Sequence, residues 1–329
     1  MRGVVALTAS LASFLSPFCR SSRSCAVPSS SIRWLSADGF NNQQVNNNQQ
    51  VNNNNQQQVL LLAQDTIDSL AKRGKTWQRL GPMVALATTS GKTAADIGCD
   101  HGLLTCGLAA TGRFDYVVGV DVSQKALDQG GLALLLQLQD ELVGLGSNKN
   151  KNNNSNINFL VGDGLKPLQE ADTICVAGMG VHSMKEILSP DELERVGCQQ
   201  IVIQPHTSTR PRSMMMLYHH LVQNCGFAVD QEHISFLSQR WYLSASFQKT
   251  TTIVTNDDDD DDDDVIAITI PGQALKVHSS EEQRCIYDAY VAHHVAWLKL
   301  DGAQTDLDPN DILWLNNAMK TRTTDNIMD

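Results

Sequence analysis

What the 329-residue chain has little of narrows its class first. Its eight cysteines, at 19, 25, 99, 106, 175, 198, 225 and 285, include no C-x-x-C pair and no Cys/His spacing of a zinc site. Scattered thiols of this kind read as reduced cysteines of an intracellular protein, and no metal is expected. No apolar run reaches the ~18 residues that a membrane helix needs, so a soluble protein without membrane contact is expected. Basic charge is scarce too. The net charge is −11; the run Asp257 to Asp264 supplies −8 and the first 58 residues supply +3, which leaves −6 for the rest. That balance does not advertise a nucleic-acid binder, so a nucleic-acid substrate would have to be held by a local basic patch.

Acidic residues are missing before Asp38, while Arg2, Arg20, Arg23 and Arg33 stand among many serines. Residues 1–36 therefore read as an organellar transit peptide, with Arg33-Trp34-Leu35-Ser36 as a mitochondrial-type processing step. A mitochondrial location is expected, with the plastid as the alternative. Residues 37–58 follow as a spacer, almost only Asn and Gln from Asn41 onward. Such a tract buries too little apolar area to offset its backbone entropy. The folded domain is expected over 59–256, with a polar insertion at 144–158. The acidic run 257–264 reads as a solvated loop, and 265–329 as a C-terminal strand and helical extension.

Within the domain the signals alternate between strand and helix. Helical spacing covers 59–73 and 76–88, broken at Gly74, and a strand rises into Asp96. A helix from Leu103 to Ala110 stops near Gly112. Tyr116 to Val120 forms a second strand ending at Asp121, followed by a Ser-started helix from Ser123 to about Leu142. Three short strands follow, at Phe159 to Val161, Thr173 to Ala177 and Ile201 to Ile203. A Met-rich helix covers Ser213 to Cys225, and a hairpin pairs Ala228 to Leu237 with Trp241 to Gln248. Val265 to Ile270 reads as a strand, and Ser280 to Leu300 and Asp311 to Met319 as helices. The fold class is α/β: Rossmann-like, with a mostly parallel sheet, N-terminal helices and a C-terminal helical extension.

The stretch TAADIGCDHGLLT, Thr93 to Thr105, organises this pattern. Glycines at 98 and 102 let backbone N–H groups and a helix start come close to a ligand. The turn departs from the dinucleotide pattern G-x-G-x-x-G because Asp100 sits inside it. A carboxylate there repels a pyrophosphate but welcomes an ammonium or a ribose, which shifts the reading from NAD to S-adenosyl-L-methionine. Asp121, about 20 residues on and at the end of the second strand, stands where these folds hold ribose hydroxyls. The remaining strands end in Gly162-Asp163-Gly164, in Ala177-Gly178-Met179-Gly180 and in Gln204-Pro205-His206. All these ends share one edge of the sheet.

The strings ADIGCDHGLL, VVGVDVS, GDGL, AGMG and IQPH, in this order, resemble the TrmK-type tRNA (adenine-22 N1)-methyltransferases over about Thr76 to Gln248. The resemblance implies a class I methyltransferase with a seven-stranded sheet, S-adenosyl-L-methionine as donor and tRNA as acceptor. It places cofactor binding on Asp96, Gly98, Asp100, His101, Asp121, Asp163 and Gly164, and Gly102, Val122, Ala177 and Gly178 at the same strand ends are further cofactor-binding candidates. Substrate contacts fall on Met179, Gly180, Gln204, Pro205 and His206. Asp100 and His206 are the candidates for positioning the target base. Two departures stand out: Val181 follows Gly180 where the family has a further glycine, and His206 replaces an asparagine. An imidazole cannot reproduce the paired donor and acceptor of an amide. The segment from Arg195 to Lys249 has five Lys/Arg against Asp230 and Glu232, and Arg210, Arg212 and Arg240 are the candidates for phosphate contacts.

Adenine N1 carries an in-plane lone pair, so the protein has to place the base rather than make a nucleophile. Because N1 lies on the pairing edge, the base has to be unpaired or flipped. Three alternatives remain: methyl transfer to another RNA site, transfer to a small molecule, and a catalytically silent RNA-binding factor.

Overall fold

A computed structural model describes residues 66–89, 91–144, 157–206, 211–250, 271 and 281–302. The transit peptide, the Asn/Gln spacer, the acidic run, the strand at 265–270, the helix at 311–319 and most of the 144–158 insertion lie outside these residues.

Seven strands form one sheet in the order β3-β2-β1-β4-β5-β7-β6. β1 (Gly91–Ile97), β2 (Phe114–Asp121), β3 (Ile157–Val161), β4 (Thr173–Ala177) and β5 (Gln200–Gln204) run parallel. β6 (Phe227–Leu237) and β7 (Arg240–Lys249) form an antiparallel hairpin, and β7 pairs with β5. The strand order reverses between β1 and β4, which opens a crevice at the carboxyl ends of the strands.

The period-two alternation of a strand sends neighbouring side chains to opposite faces, and here it feeds two cores. Ala95, Ile97, Ile174, Val176, Ile201 and Ile203 enter one, while Ala94, Cys175 and Val202 enter the other. The second core is closed by the helical residues 66–71, by α1 (Lys75–Leu86) and by α2 (Leu103–Ala110). Trp77, Leu80, Met83 and Val84 give α1 its apolar stripe at helical spacing. Gly74, at φ 68, breaks the chain before it. α2 is buried on nearly every side, which suits its almost wholly apolar sequence.

After β2 a helical segment spans 124–144, here α3, and its Leu138 joins the second core. It opens on Ser123, whose hydroxyl accepts from the Ala126 N–H at 3.2 Å, and it contains a π-turn at Leu127–Gly131. Between β4 and β5 stand two short helices that the periodicity did not announce, α4 (Val181–Ile187) and α5 (Pro190–Arg195). The signal for α5 is present in the sequence: Ser189 caps the Glu192 N–H at 3.4 Å, Pro190 fills the first position and two acids follow. α6 (Pro211–His219) leads through a second π-turn, His220–Asn224, into β6. α7 (Glu281–Gly302) packs Tyr287, Tyr290, Val291 and Val295 into the first core. Among the described residues no helix is long and apolar enough to cross a membrane.

Candidate active site

The turn after β1 is pinned to the end of β2. The N–H groups of Gly98 and Cys99 both donate to the Val120 carbonyl, at 2.8 and 3.1 Å. The Asp121 carboxylate then ties two loops together: Oδ2 accepts from the Asp100 N–H at 3.1 Å and Oδ1 from the Ser123 N–H at 2.9 Å. Each carboxylate oxygen retains a further lone pair, which is what a ribose diol requires. Gly102, at φ 67, has no room for a side chain, since a Cβ there would meet the Gly131 Cα at 2.7 Å. Gly130 and Gly131 lie in the π-turn of α3, and their lack of side chains lets that helix approach the cradle.

Asp96 lies behind the turn rather than in it. It is 2% exposed and accepts the Thr105 hydroxyl at 2.7 Å, which locks the end of β1 to the first turn of α2. Burial pushes its pKa up to about 6. Asp100 and His101 occupy the open rim with His101 Nε2 3.5 Å from Asp100 Oδ2, and Asp100 takes a positive φ of 45. Val122 is 71% exposed beside Asp121 and offers an apolar surface there. Asp163 is exposed and accepts from Lys166 Nζ at 2.5 Å, while Gly164 turns the chain at φ 59.

The ends of β4 and β5 are joined to each other. The Gly178 N–H donates to the Gln204 carbonyl at 2.8 Å and the His206 N–H to the Met179 carbonyl at 2.9 Å. Met179 lays its terminal methyl over Gly98, where any Cβ would collide with it. Ala177 closes β4 half-buried, Gly180 precedes α4 in the open, Pro205 is buried, and His206 is exposed. Gln204 is fully buried and faces inward: its Nε2 donates to the Ser244 hydroxyl at 2.7 Å and to the Arg79 carbonyl at 3.0 Å. The pairing of Ile203 with Ala245 means that residues 240–243 of β7 run past the end of β5 and overhang the crevice. Arg240, exposed, lies on that overhang. Arg212 lies in the first turn of α6, and Arg210 falls outside the described residues.

Two contributors were not foreseen. Arg79 of α1 reaches the end of β4, its Nη1 3.4 Å from the point where a Cβ on Gly178 would stand, and its guanidinium lies over the Tyr242 ring at 5.9 Å. Gly130-Gly131 is the other. A glycine pair inside a helical pattern is the signal that could have exposed it, whereas nothing local marks Arg79.

Glycine turn, carboxylate at the second strand and parallel sheet with a terminal antiparallel hairpin define a Rossmann-like methyltransferase of class I. A family described as a methyltransferase domain matches residues 77–243. The chain belongs to this methyltransferase-domain family. No curated protein matches it in sequence. Among solved structures it is similar to a Streptococcus pneumoniae protein described as a candidate tRNA (m1A22) methyltransferase, at 16% identity and a TM-score of 0.50, over 74% of this chain and 97% of that one. It is also similar to M. capricolum TrmK in complex with S-adenosylhomocysteine, at 17% identity and a TM-score of 0.46, over 76% of this chain and 98% of that one. The cofactor of class I methyltransferases is S-adenosylmethionine. The residues present fit it: a cradle without side chains at 98 and 102, a carboxylate with free lone pairs at 121 and an apolar surface at 122.

Proposed function

We propose that this chain transfers the methyl group of S-adenosylmethionine to N1 of an adenine in tRNA. The observation that carries the reading is the two-sided crevice: a cofactor cradle on β1 and β2 beside an overhung, partly open edge on β4 and β5. The motif resemblance and the likeness to the Streptococcus pneumoniae protein described as a candidate tRNA (m1A22) methyltransferase support the acceptor. When bound, S-adenosylmethionine supplies a sulfonium methyl open to direct attack by a ring-nitrogen lone pair. The chain's residues then have to orient the base and exclude water. Gly180 leaves open space for a base beyond the end of β4, and the rim groups of Asp100 and His206 can hydrogen-bond its amine. The hairpin overhang forms the outer wall, and its Arg240 meets a phosphate. No covalent intermediate is required.

The test is transfer of tritiated methyl from S-adenosylmethionine to unmodified tRNA transcripts by protein lacking the first 58 residues, with nuclease digestion of the product. Appearance of 1-methyladenosine supports the reading. Cofactor binding without transfer to any tRNA overturns the acceptor and leaves a methyltransferase of another substrate. The arginine- and serine-rich leader supports delivery to the mitochondrion, which a fluorescent fusion of residues 1–58 would test against the plastid.

A further inference from the structure

Arg79 is a half-buried cation that the reading so far leaves without a task. Among the described residues it makes no ion pair. Burial lowers its pKa, and the nearby Asp96 carboxylate only partly opposes this. Asp96 is itself buried and hydrogen-bonded to Thr105. Holding a guanidinium out of water is costly unless an anion meets it.

The position of Arg79 says which anion. Asp121 places the ribose at the end of β2 and the glycine turn lies at the end of β1, so a cofactor laid across the crevice points its far end at β4, the next strand in the sheet. There Arg79 stands against Gly178. The far end of S-adenosylmethionine is an amino acid carrying a carboxylate. Tyr242 covers one face of the guanidinium, which leaves the in-plane N–H edge as the donor surface. That edge matches a carboxylate with two parallel hydrogen bonds. The backbone of Arg79 is fixed as well, because the buried Gln204 amide donates to its carbonyl. An RNA phosphate, by contrast, would arrive at the rim, where His206 and Arg240 are exposed.

We propose that Arg79 is a cofactor-binding residue that receives the carboxylate of the amino-acid end, with Tyr242 holding the guanidinium in orientation. The proposal rests on the cofactor reading above. It is tested by calorimetric binding of two probes, S-adenosylhomocysteine, which has the amino-acid end, and 5′-methylthioadenosine, which lacks it. Arg79→Met is expected to weaken S-adenosylhomocysteine about 10- to 100-fold and 5′-methylthioadenosine by less than about twofold, and Arg79→Lys is expected to fall between. Equal weakening of both probes, or unchanged S-adenosylhomocysteine affinity with weakened RNA binding, overturns it. Should Arg79→Met fail to fold, as judged by circular dichroism, Arg79→Lys decides alone: unchanged selectivity between the probes overturns the assignment. An unaltered chain that binds neither probe overturns the cofactor reading and this proposal with it. One that binds both equally overturns only the role of Arg79.

Discussion

The two halves of the crevice are built by different means. On the β1–β2 side the ligand surface is main chain: glycines at 98 and 102, N–H groups turned by the Asp121 carboxylate, and a helix brought close by Gly130 and Gly131. On the β4–β5 side it is made of long side chains from distant segments, with Arg79, Gln204, Ser244 and Tyr242 meeting at one point. The first half is fixed by main-chain geometry and tolerates almost no change. The second is assembled by tertiary contact and can be altered one side chain at a time.

The largest effect is expected on the main-chain side. Gly102→Ala forces a Cβ against Gly131 and a non-glycine residue into a left-handed turn, so stability should fall by about 2–4 kcal/mol. Cofactor affinity should fall about 100-fold; urea unfolding and calorimetry would check the pair of values. Near-normal binding would mean that the cradle is softer than its contacts imply.

Asp96 gives a pH signature to the same side. Its folded pKa of about 6 lies above the unfolded carboxylate value of 3.8, so the native state binds more protons than the unfolded state between these values. The associated stability is present in full below about pH 4 and is lost as pH rises through 6, a difference of about 3 kcal/mol at neutral pH. Asp96→Asn should remove this slope from the pH dependence of thermal unfolding. A slope that persists in the variant would assign it to other groups.

On the β4–β5 side, Gln204→Leu strips two hydrogen bonds from buried partners and should cost about 2 kcal/mol. Since it also frees the Arg79 backbone, the affinity for S-adenosylhomocysteine should drop, with that for 5′-methylthioadenosine nearly unchanged. The smallest effect belongs to the rim. His206→Ala should lower kcat/KM for RNA about tenfold while the Kd for S-adenosylhomocysteine moves less than about twofold. If both constants moved together, the division of the crevice into two halves would fail.

The same division explains what could be read from the chain. α2 and β4 have the bounds that the sequence pattern predicts, Leu103–Ala110 and Thr173–Ala177, because glycines and an unbroken apolar run punctuate them. The cradle was legible for the same reason: turn chemistry is local, and Gly98, Asp100 and Gly102 follow each other directly. Arg79 was not, since its contact with Gln204 joins positions 125 apart and leaves no periodic trace. α4 and α5 escaped because helices of 7 and 6 residues are too short for periodicity to register. Gln204, a substrate-contact candidate from its place at a strand end, is instead buried against Ser244 and the Arg79 carbonyl, contacts that only tertiary structure makes.

That overhang also sets an order on synthesis. β7 inserts between β5 and β6, so β5 has an unpaired edge on that side until residues 240–249 have been made. During that interval a nascent chain already holds the cofactor cradle, yet exposes Ile201, Val202 and Ile203 along an open strand ready to pair with any extended segment nearby. Truncation before residue 240 would therefore yield an aggregating chain rather than a smaller methyltransferase, and the last hairpin seals the sheet as well as overhanging the crevice.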